Sequence, residues 1–352
     1  MPDLSEEQKT IIRKLLQNKE NEAIQTVGGY AGTGKTTLIS VLVQKLSDWA
    51  VCAFTGKAAN VLRRKGIHGA QTIHSTIYRP YEYDGHIYFD LIHPDDFTKK
   101  GFIVDEGSMV SKDLDTDLQS FGLPIIYVGD HGQLEPVGSD FNLMMDPMYK
   151  LEMVHRNAGE IAHFAEHLRK GRSPWTFTER QKVQIGTVSD IQDEHLTNTD
   201  QIICAYNKFR VNTNERIRHH LGKKALIERG ERVMCLKNNK RLGIFNGMQG
   251  VVKTLHKPDM FDFESDGHIY YYIRYDREQF GKEKTELKGG WEPPNPFDYA
   301  YCVTCHKSQG DEWDNILVYE QVCDRWDHKR WAYTAASRAK HSVIWVASAR
   351  RP

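Results

Sequence analysis

The 352-residue chain has no apolar run approaching the ~18 residues that a membrane-crossing helix needs, which argues against a membrane span. It also lacks net charge. The 47 Lys and Arg balance the 47 Asp and Glu, so no global basic field advertises a polyanionic partner, and any such partner is held by a local groove. Cysteine is scarce: the six are scattered without framework spacing, and Cys52, Cys204 and Cys235 lie in apolar runs. That pattern fits buried free thiols in a reducing cytosol. Cys302-Val-Thr-Cys305 has no second pair and reads as an ordinary strand position, not a metal or redox site. The amino terminus, Met1-Pro-Asp-Leu-Ser-Glu-Glu-Gln, lacks the basic start and apolar core of a signal peptide. What remains is 39% apolar and 27% charged, an ordinary globular composition. The length exceeds what one compact core supports, so two or more domains are expected.

The rest of the chain is organised around Val27-Gly-Gly-Tyr-Ala-Gly-Thr-Gly-Lys-Thr-Thr37. It contains Gly29-x-x-x-x-Gly34-Lys35-Thr36, the Walker A spacing, preceded by a buried-strand pattern and followed by helical spacing. Gly29, Tyr30, Ala31, Gly32, Thr33, Gly34, Lys35, Thr36 and Thr37 are therefore the expected triphosphate cradle. Glycines let the backbone approach phosphate, and the free N–H groups of the following helix favour a polyanion. Lys35 is expected to reach the β- and γ-phosphates, and the Thr36 hydroxyl to sit on Mg²⁺.

Along the chain, Ser5 and the acidic residues after it announce a first helix. Gln8 on that helix reads, taken alone, as a surface residue; its amide also has the donors and acceptors to read an adenine edge. Trp49–Phe54 is a second strand, and alternating strands and helices indicate a parallel sheet with ligands at the strands' carboxyl ends. Tyr81, Tyr83, His86 and Tyr88 flank Asp84-Gly85, the preferred pair for a tight hairpin turn, so a small aromatic hairpin is expected, working or decorative. Lys100-Gly-Phe-Ile-Val-Asp105-Glu106 is a strand ending in two carboxylates. After a Walker A loop this is the Walker B element, with Asp105 on Mg²⁺ and Glu106 orienting and deprotonating the attacking water. Past the next strand, Gln133 stands where an amide can donate to the γ-phosphate and accept from water. The arginines Arg210, Arg216 and Arg218 on a later helix read mostly as a solvated face.

These residues carry a family resemblance. Gly129-Asp130-x-x-Gln133-Leu134-x-Pro136-Val137, downstream of Asp105-Glu106-Gly107-Ser108-Met109, resembles the motor core of superfamily 1 helicases. Leu151-Glu-Met-Val-His-Arg156-Asn157 resembles the fourth motif, with Asn157 where the family more often has Gln. Thr304-Cys-His306-Lys307-Ser308-Gln309-Gly310-x-Glu312 resembles the fifth, and Tyr333-Thr334-Ala335-Ala336-Ser337-Arg338-Ala339-Lys340 the sixth. The set is similar to the RecD-like and Dda-like branch (subclass B), whose members move 5′ to 3′ on single-stranded DNA, and it runs from Gln8 to near Trp345.

The resemblance implies an α/β fold of two RecA-like domains with parallel sheets, a β-hairpin pin and an SH3-like β-barrel insertion. The first domain is expected over 1–76 and 97–150, the pin over 77–96, the second domain over 151–227 and 297–352, and the insertion over 228–296. It implies ATP bound between the two domains, with Arg156 and Arg338 as arginine fingers, Glu312 on the ribose hydroxyls and Gln8 on the adenine. Thr55, Lys57, Thr72 and His74, with Thr304 and His306, match positions near the nucleic-acid strand, and Tyr81, Tyr83 and Tyr88 match the pin. The implied cofactors are ATP and Mg²⁺. The implied partners are single-stranded DNA, duplex junctions and single-strand-binding, replication or recombination proteins. A monomer in a bacterial or viral-host cytoplasm, with no membrane partner, is expected.

Three readings follow: a 5′-to-3′ DNA helicase, a translocase that strips proteins with little unwinding, and a nucleotide-dependent binding switch. Glu106, Gln133, Arg156 and Arg338 together argue against the switch, which needs only the Walker A loop.

Overall fold

The chain enters its first helix, α1 (Glu6–Asn18), through a capping box: the Ser5 hydroxyl accepts from the Gln8 N–H at 3.2 Å, and the Gln8 side chain accepts from the Ser5 N–H at 2.9 Å. Ile11, Ile12 and Leu15 form the buried stripe of that helix. The computed structural model describes residues 4–83, 86–134, 141–153, 159–239, 241–256, 258–265, 267–289, 293–322, 324 and 326–348. Two compact units divide the chain, residues 1–171 with 329–337, and residues 172–328 with 338–352.

In the first unit α1 is followed by β1 (Ile24–Gly29), α2 (Lys35–Lys45), β2 (Ala50–Ala53), α3 (Gly56–Arg64), β3 (Gln71–Thr72) and α4 (Ile73–Ile77). Two hairpin strands, β4 (Tyr78–Tyr83) and β5 (His86–Leu91), interrupt the alternation before β6 (Phe102–Asp105), α5 (Lys112–Gln119), β7 (Ile125–Gly129), β8 (Tyr149–Leu151) and α6 (Gly159–Arg169). The main sheet runs in the order β3-β2-β6-β7-β1-β8, and its pairings are parallel. Alternate residues of one strand feed two different cores. Val51, Ala53, Ile103, Ile126 and Val128 pack with the helices carrying Leu15, Leu38 and Leu62, whereas Cys52, Phe102, Val104, Ile125 and Tyr127 pack with Ile73, Leu114 and Leu118. A strand buried on both faces reads as a continuous apolar run, which is why these strands were visible in the sequence.

The second unit contains β9 (Val183–Gly186), α7 (Asp193–Thr197), β10 (Gln201–Cys204), α8 (Asn207–His220), β11 (Arg232–Cys235), β12 (Gln249–His256), β13 (Met260–Ser265), β14 (His268–Arg274), β15 (Phe297–Tyr299), β16 (Cys302–Thr304) and β17 (Trp313–Tyr319). After them come α9 (His328–Ala336), which joins the first unit from Lys329 onward, and β18 (Ala339–Val346) in the second. One sheet, β16-β10-β17-β18-β9, is parallel, and the other, β14-β13-β12-β11-β15, is antiparallel. Phe261, Phe263, Tyr275 and Phe297 pack ring against ring inside the antiparallel sheet. A bridge between Tyr275 and Asn295 brings the end of β14 to the segment entering β15.

Three sequence expectations differ from the structure. The first unit runs to Gly171 and takes in α6, where the sequence divides the domains after 150. The antiparallel sheet reaches past 296 to include β15. Arg210 and Arg218 do not belong to a solvated face: Arg210 pairs with buried Asp298 at 2.5 Å and Arg218 with buried Glu231 at 3.0 Å, while Arg216 stays exposed with Asp193. Asp298 and Glu231 lie in β15 and just before β11, so these pairs tie α8 to the antiparallel sheet. Among the described residues no helix is long and apolar enough to cross a membrane.

Candidate functional site

The phosphate loop joins β1 to α2 through Gly32 (φ 78°) and Gly34 (φ 81°), a left-handed conformation that side chains resist. Gly34 caps α2 without offering a side-chain acceptor, so the first N–H groups of the helix are left for a ligand at its positive end. Thr33 closes the turn by donating from Oγ1 to the Tyr30 carbonyl at 2.8 Å. Lys35 Nζ lies along the loop, donating to the Gly29 carbonyl at 2.7 Å and the Tyr30 carbonyl at 3.1 Å, 3.5 Å from Asp130 Oδ2. Gln8 is not a surface residue. Only 1% exposed, it donates from Nε2 to the Thr33 and Gly34 carbonyls at 3.2 and 3.4 Å, so α1 braces the loop from behind. Tyr30 packs between His131, with ring centroids 4.1 Å apart, and the Arg169 guanidinium, 3.9 Å from its ring centre.

The acidic side of the site comes from the carboxyl ends of β6 and β7. Burial pushes the Asp105 carboxyl up, and the Lys35 and Lys65 cations pull against that shift. Lys65 Nζ also donates to Thr36 Oγ1 at 3.3 Å. The two oxygens expected on Mg²⁺ thus already share a cationic neighbour, and the donor set fits a hard divalent cation. Glu106 is held at φ 56°, ψ 40°, left-handed and strained for a residue with a side chain. At the end of β7, Asp130 Oδ1 accepts from the Gly132 N–H at 2.9 Å, and Oδ2 accepts from Tyr333 Oη at 2.7 Å and Gln133 Nε2 at 3.3 Å. Gln133 is buried, and its Oε1 has no hydrogen-bond partner among the described residues. An orphaned buried acceptor costs about 1–3 kcal/mol, so its persistence points to a ligand or water that the site is built to receive.

The residues matched to a nucleic-acid strand follow the same edge. Thr72 ends β3 and Thr55 follows β2, and both hydroxyls cap helices, accepting from Ser75 N and Ala58 N at 3.1 Å. Lys57 lies in the first turn of α3, and His74 stacks on Tyr78 with ring centres 5.5 Å apart. In the hairpin Tyr81 pairs with Tyr88 and Tyr83 with His86; the Tyr81 side chain is exposed. The Asp84-Gly85 turn lies outside the described residues, as do Pro136, Val137, Arg156 and Asn157.

In the second unit Thr304 ends β16 and is buried, with His306 just beyond it. Burial pushes the His306 imidazole pKa down. Tyr206 follows β10 and Trp326 follows β17, and the Trp326 ring centre lies 5.9 Å from that of His306 and 5.8 Å from that of Tyr206. Arg338 and Glu312 lie at the opposite edge, just before β18 and β17. Arg338 is buried and donates from Nη1 to the Asp311 carbonyl at 3.2 Å, while Glu312 is exposed.

Thus Gln8, Lys35, Gln133 and the phosphate loop converge in the first unit, and Arg338 and Glu312 share one edge of the second. Sequence reasoning gave no role to four side chains: Asp130 and Tyr333, which join the cluster around the phosphate loop, Trp326, which lies against His306, and Tyr206, which lies against Trp326. The signal for Asp130 was present, three residues before Gln133 at a strand end. Tyr333 opens the sixth motif, but nothing in its spacing names a partner some two hundred positions earlier.

Residues 3–188 match the AAA domain family, and residues 299–346 match the UvrD-like helicase C-terminal domain. The ATP-dependent RecD2 DNA helicase of Deinococcus radiodurans is 26% identical over 98% of this chain and 49% of its own length. The ATP-dependent DNA helicase dda of Enterobacteria phage T4 is 30% identical over 50% of this chain and 44% of its own. The chain therefore spans less than half the length of these relatives. Among solved structures, the Pif1 helicase from Bacteroides in complex with ADP-AlF3 and ssDNA superposes with a TM-score of 0.60 at 22% identity, covering 99% of this chain and 93% of that one. The fold is Pif1-like: two RecA-like parallel sheets with antiparallel sheets added.

Proposed function

The chain belongs to the superfamily 1 helicases of the RecD, Pif1 and Dda type, and on that premise we propose that it hydrolyses ATP to move 5′ to 3′ along single-stranded DNA and part a duplex ahead of it. The observation that carries the proposal is the convergence of Lys35, Asp130 and the half-satisfied Gln133 on a glycine-built helix N-terminus. A bare phosphate-binding module has no use for a buried amide with a waiting acceptor.

In this reading the loop amides and Lys35 hold the phosphates, and Gln133 Oε1 accepts from the attacking water while Glu106 takes its proton. Thr36 and Asp105 would hold Mg²⁺, which would supply charge neutralisation on the phosphates. Arg156 and Arg338 neutralise charge on the transferring group, Glu312 takes the ribose, and Gln8 orders the loop and the adenine side of the site. Thr55, Lys57, Thr72, His74, Thr304 and His306 grip the strand without reading its sequence. The hairpin β4–β5 is the pin, with Tyr81, Tyr83 and Tyr88 against the bases. The antiparallel sheet of the second unit is an SH3-like barrel, a reading supported by the Tyr275–Asn295 bridge.

The proposal is tested by measuring ATP turnover with and without single-stranded DNA, then comparing unwinding of 5′-tailed and 3′-tailed duplexes with ATP and Mg²⁺. The expected result is turnover that rises sharply with DNA, and unwinding of the 5′-tailed substrate. Turnover indifferent to DNA contradicts the motor, and unwinding of the 3′-tailed duplex alone reverses the direction.

A further inference from the structure

We propose that Tyr333 is a positioning residue for ATP hydrolysis, an inference that rests on the ATPase reading above. Its side chain is 1% exposed and its hydroxyl stands between two parts of the nucleotide site. It accepts from the Ala31 N–H of the phosphate loop at 2.5 Å and donates to Asp130 Oδ2 at 2.7 Å. A phenol has one proton. Giving it to the carboxylate leaves the oxygen lone pairs for the loop amide, so the bridge has a fixed direction. The charged acceptor makes the Asp130 bond the stronger of the two kinds.

What Tyr333 fixes is passed on through Asp130. The same Oδ2 lies 3.3 Å from Gln133 Nε2 and 3.5 Å from Lys35 Nζ. Turning the Gln133 amide over would set its oxygen against the carboxylate, so Asp130 decides which end of Gln133 faces the site. The free end is Oε1, the acceptor proposed to hold the attacking water. One hydroxyl thereby ties the turn of the loop to the orientation of the amide.

The ring has room for this only because residue 132 is glycine: a Cβ there would sit 3.0 Å from Tyr333 Cε1 and 2.9 Å from two Tyr30 ring atoms. Tyr333 also occupies a telling place in the chain. The segment passes from the first unit to the second between Ser337 and Arg338, so Tyr333 is the last aromatic anchored in the first unit before that arginine.

The test is Tyr333→Phe, which removes the hydroxyl and keeps the ring. The expected result is a fall of about tenfold or more in DNA-stimulated kcat, the scale of one lost hydrogen bond to a charged group, with KM for ATP close to wild type and Tm lowered by a few degrees at most. In a Gln133→Ala background the same change should lower kcat less than twofold further, because both act through one group. Gly132→Ala, which crowds the ring without touching the hydroxyl, should reproduce the loss. Unchanged kcat in Tyr333→Phe overturns the proposal, as does a full tenfold effect added to that of Gln133→Ala, or a kcat loss matched by a larger fall in Tm in both variants. A wild-type chain that hydrolyses no ATP removes the ATPase reading and this inference with it. A wild-type chain that does, alongside an equally active Tyr333→Phe, removes the inference alone.

Discussion

Glu106 sits at the carboxyl end of a buried strand with a backbone conformation that a side chain resists, φ 56° and ψ 40°. Such strain persists where the surroundings over-determine it, and it clusters at functional sites. Glu106→Gln keeps the shape and the backbone demand while removing the proposed base. It should retain ATP and single-stranded DNA binding within about twofold while turnover falls by about 10²–10⁴, the usual contribution of a general base. Fluorescent-nucleotide titration and phosphate release measure the two halves, and normal turnover would mean that another group takes the proton. The position of Glu106 at the end of a buried strand was legible in the sequence; its dihedral was not. Gln8 shows the same limit from the other side. The sequence places it on the first helix, but its burial against the Thr33 and Gly34 carbonyls depends on where α1 lands.

At the scale of elements, legibility follows the range of the forces involved. The parallel strands could be read because burial on two faces leaves an uninterrupted apolar signature. The helix α6 was read as a helix yet given to the other domain, since an amphipathic stripe says that one face is covered without saying by what. Arg210 and Arg218 were misread because their partners lie off the helix, Asp298 in β15 and Glu231 just before β11, and helical spacing says nothing of either. The antiparallel sheet offers a sharper test of packing. Gly250 in β12 faces β13 so closely that a Cβ would run into the Glu264 carbonyl and come 2.7 Å from Phe263 Cε2. Backbone cannot move aside as a flexible side-chain tip can, so Gly250→Ala should destabilise this sheet by about 1–3 kcal/mol or more, the cost of overpacking. Chemical denaturation should show the loss, while nucleotide binding by the first unit stays near wild type; an unchanged transition would mean that the strands part at little cost.

For the molecule as a whole, the proposed ATPase draws residues from both units. Lys35, Glu106, Gln133 and the loop belong to the first unit, whereas Arg338 and Glu312 belong to the second. A protein that only bound nucleotide would need the first set alone. Arg338 is buried and donates to the Asp311 carbonyl of its own unit. A guanidinium already held in position loses little entropy when it meets developing charge, which is the condition for a large effect on the chemical step. Arg338→Ala should therefore leave ATP affinity within a few-fold of wild type and lower DNA-stimulated turnover by about 10³ or more, the range that arginine fingers supply. Arg338→Lys should recover only part of the loss, because a point charge cannot reproduce the planar fork. Equilibrium nucleotide binding measured beside single-turnover hydrolysis separates the two effects. Should Arg338→Ala hydrolyse ATP at the wild-type rate, the second unit contributes nothing to the chemistry, and DNA-dependent turnover must arise wholly within the first.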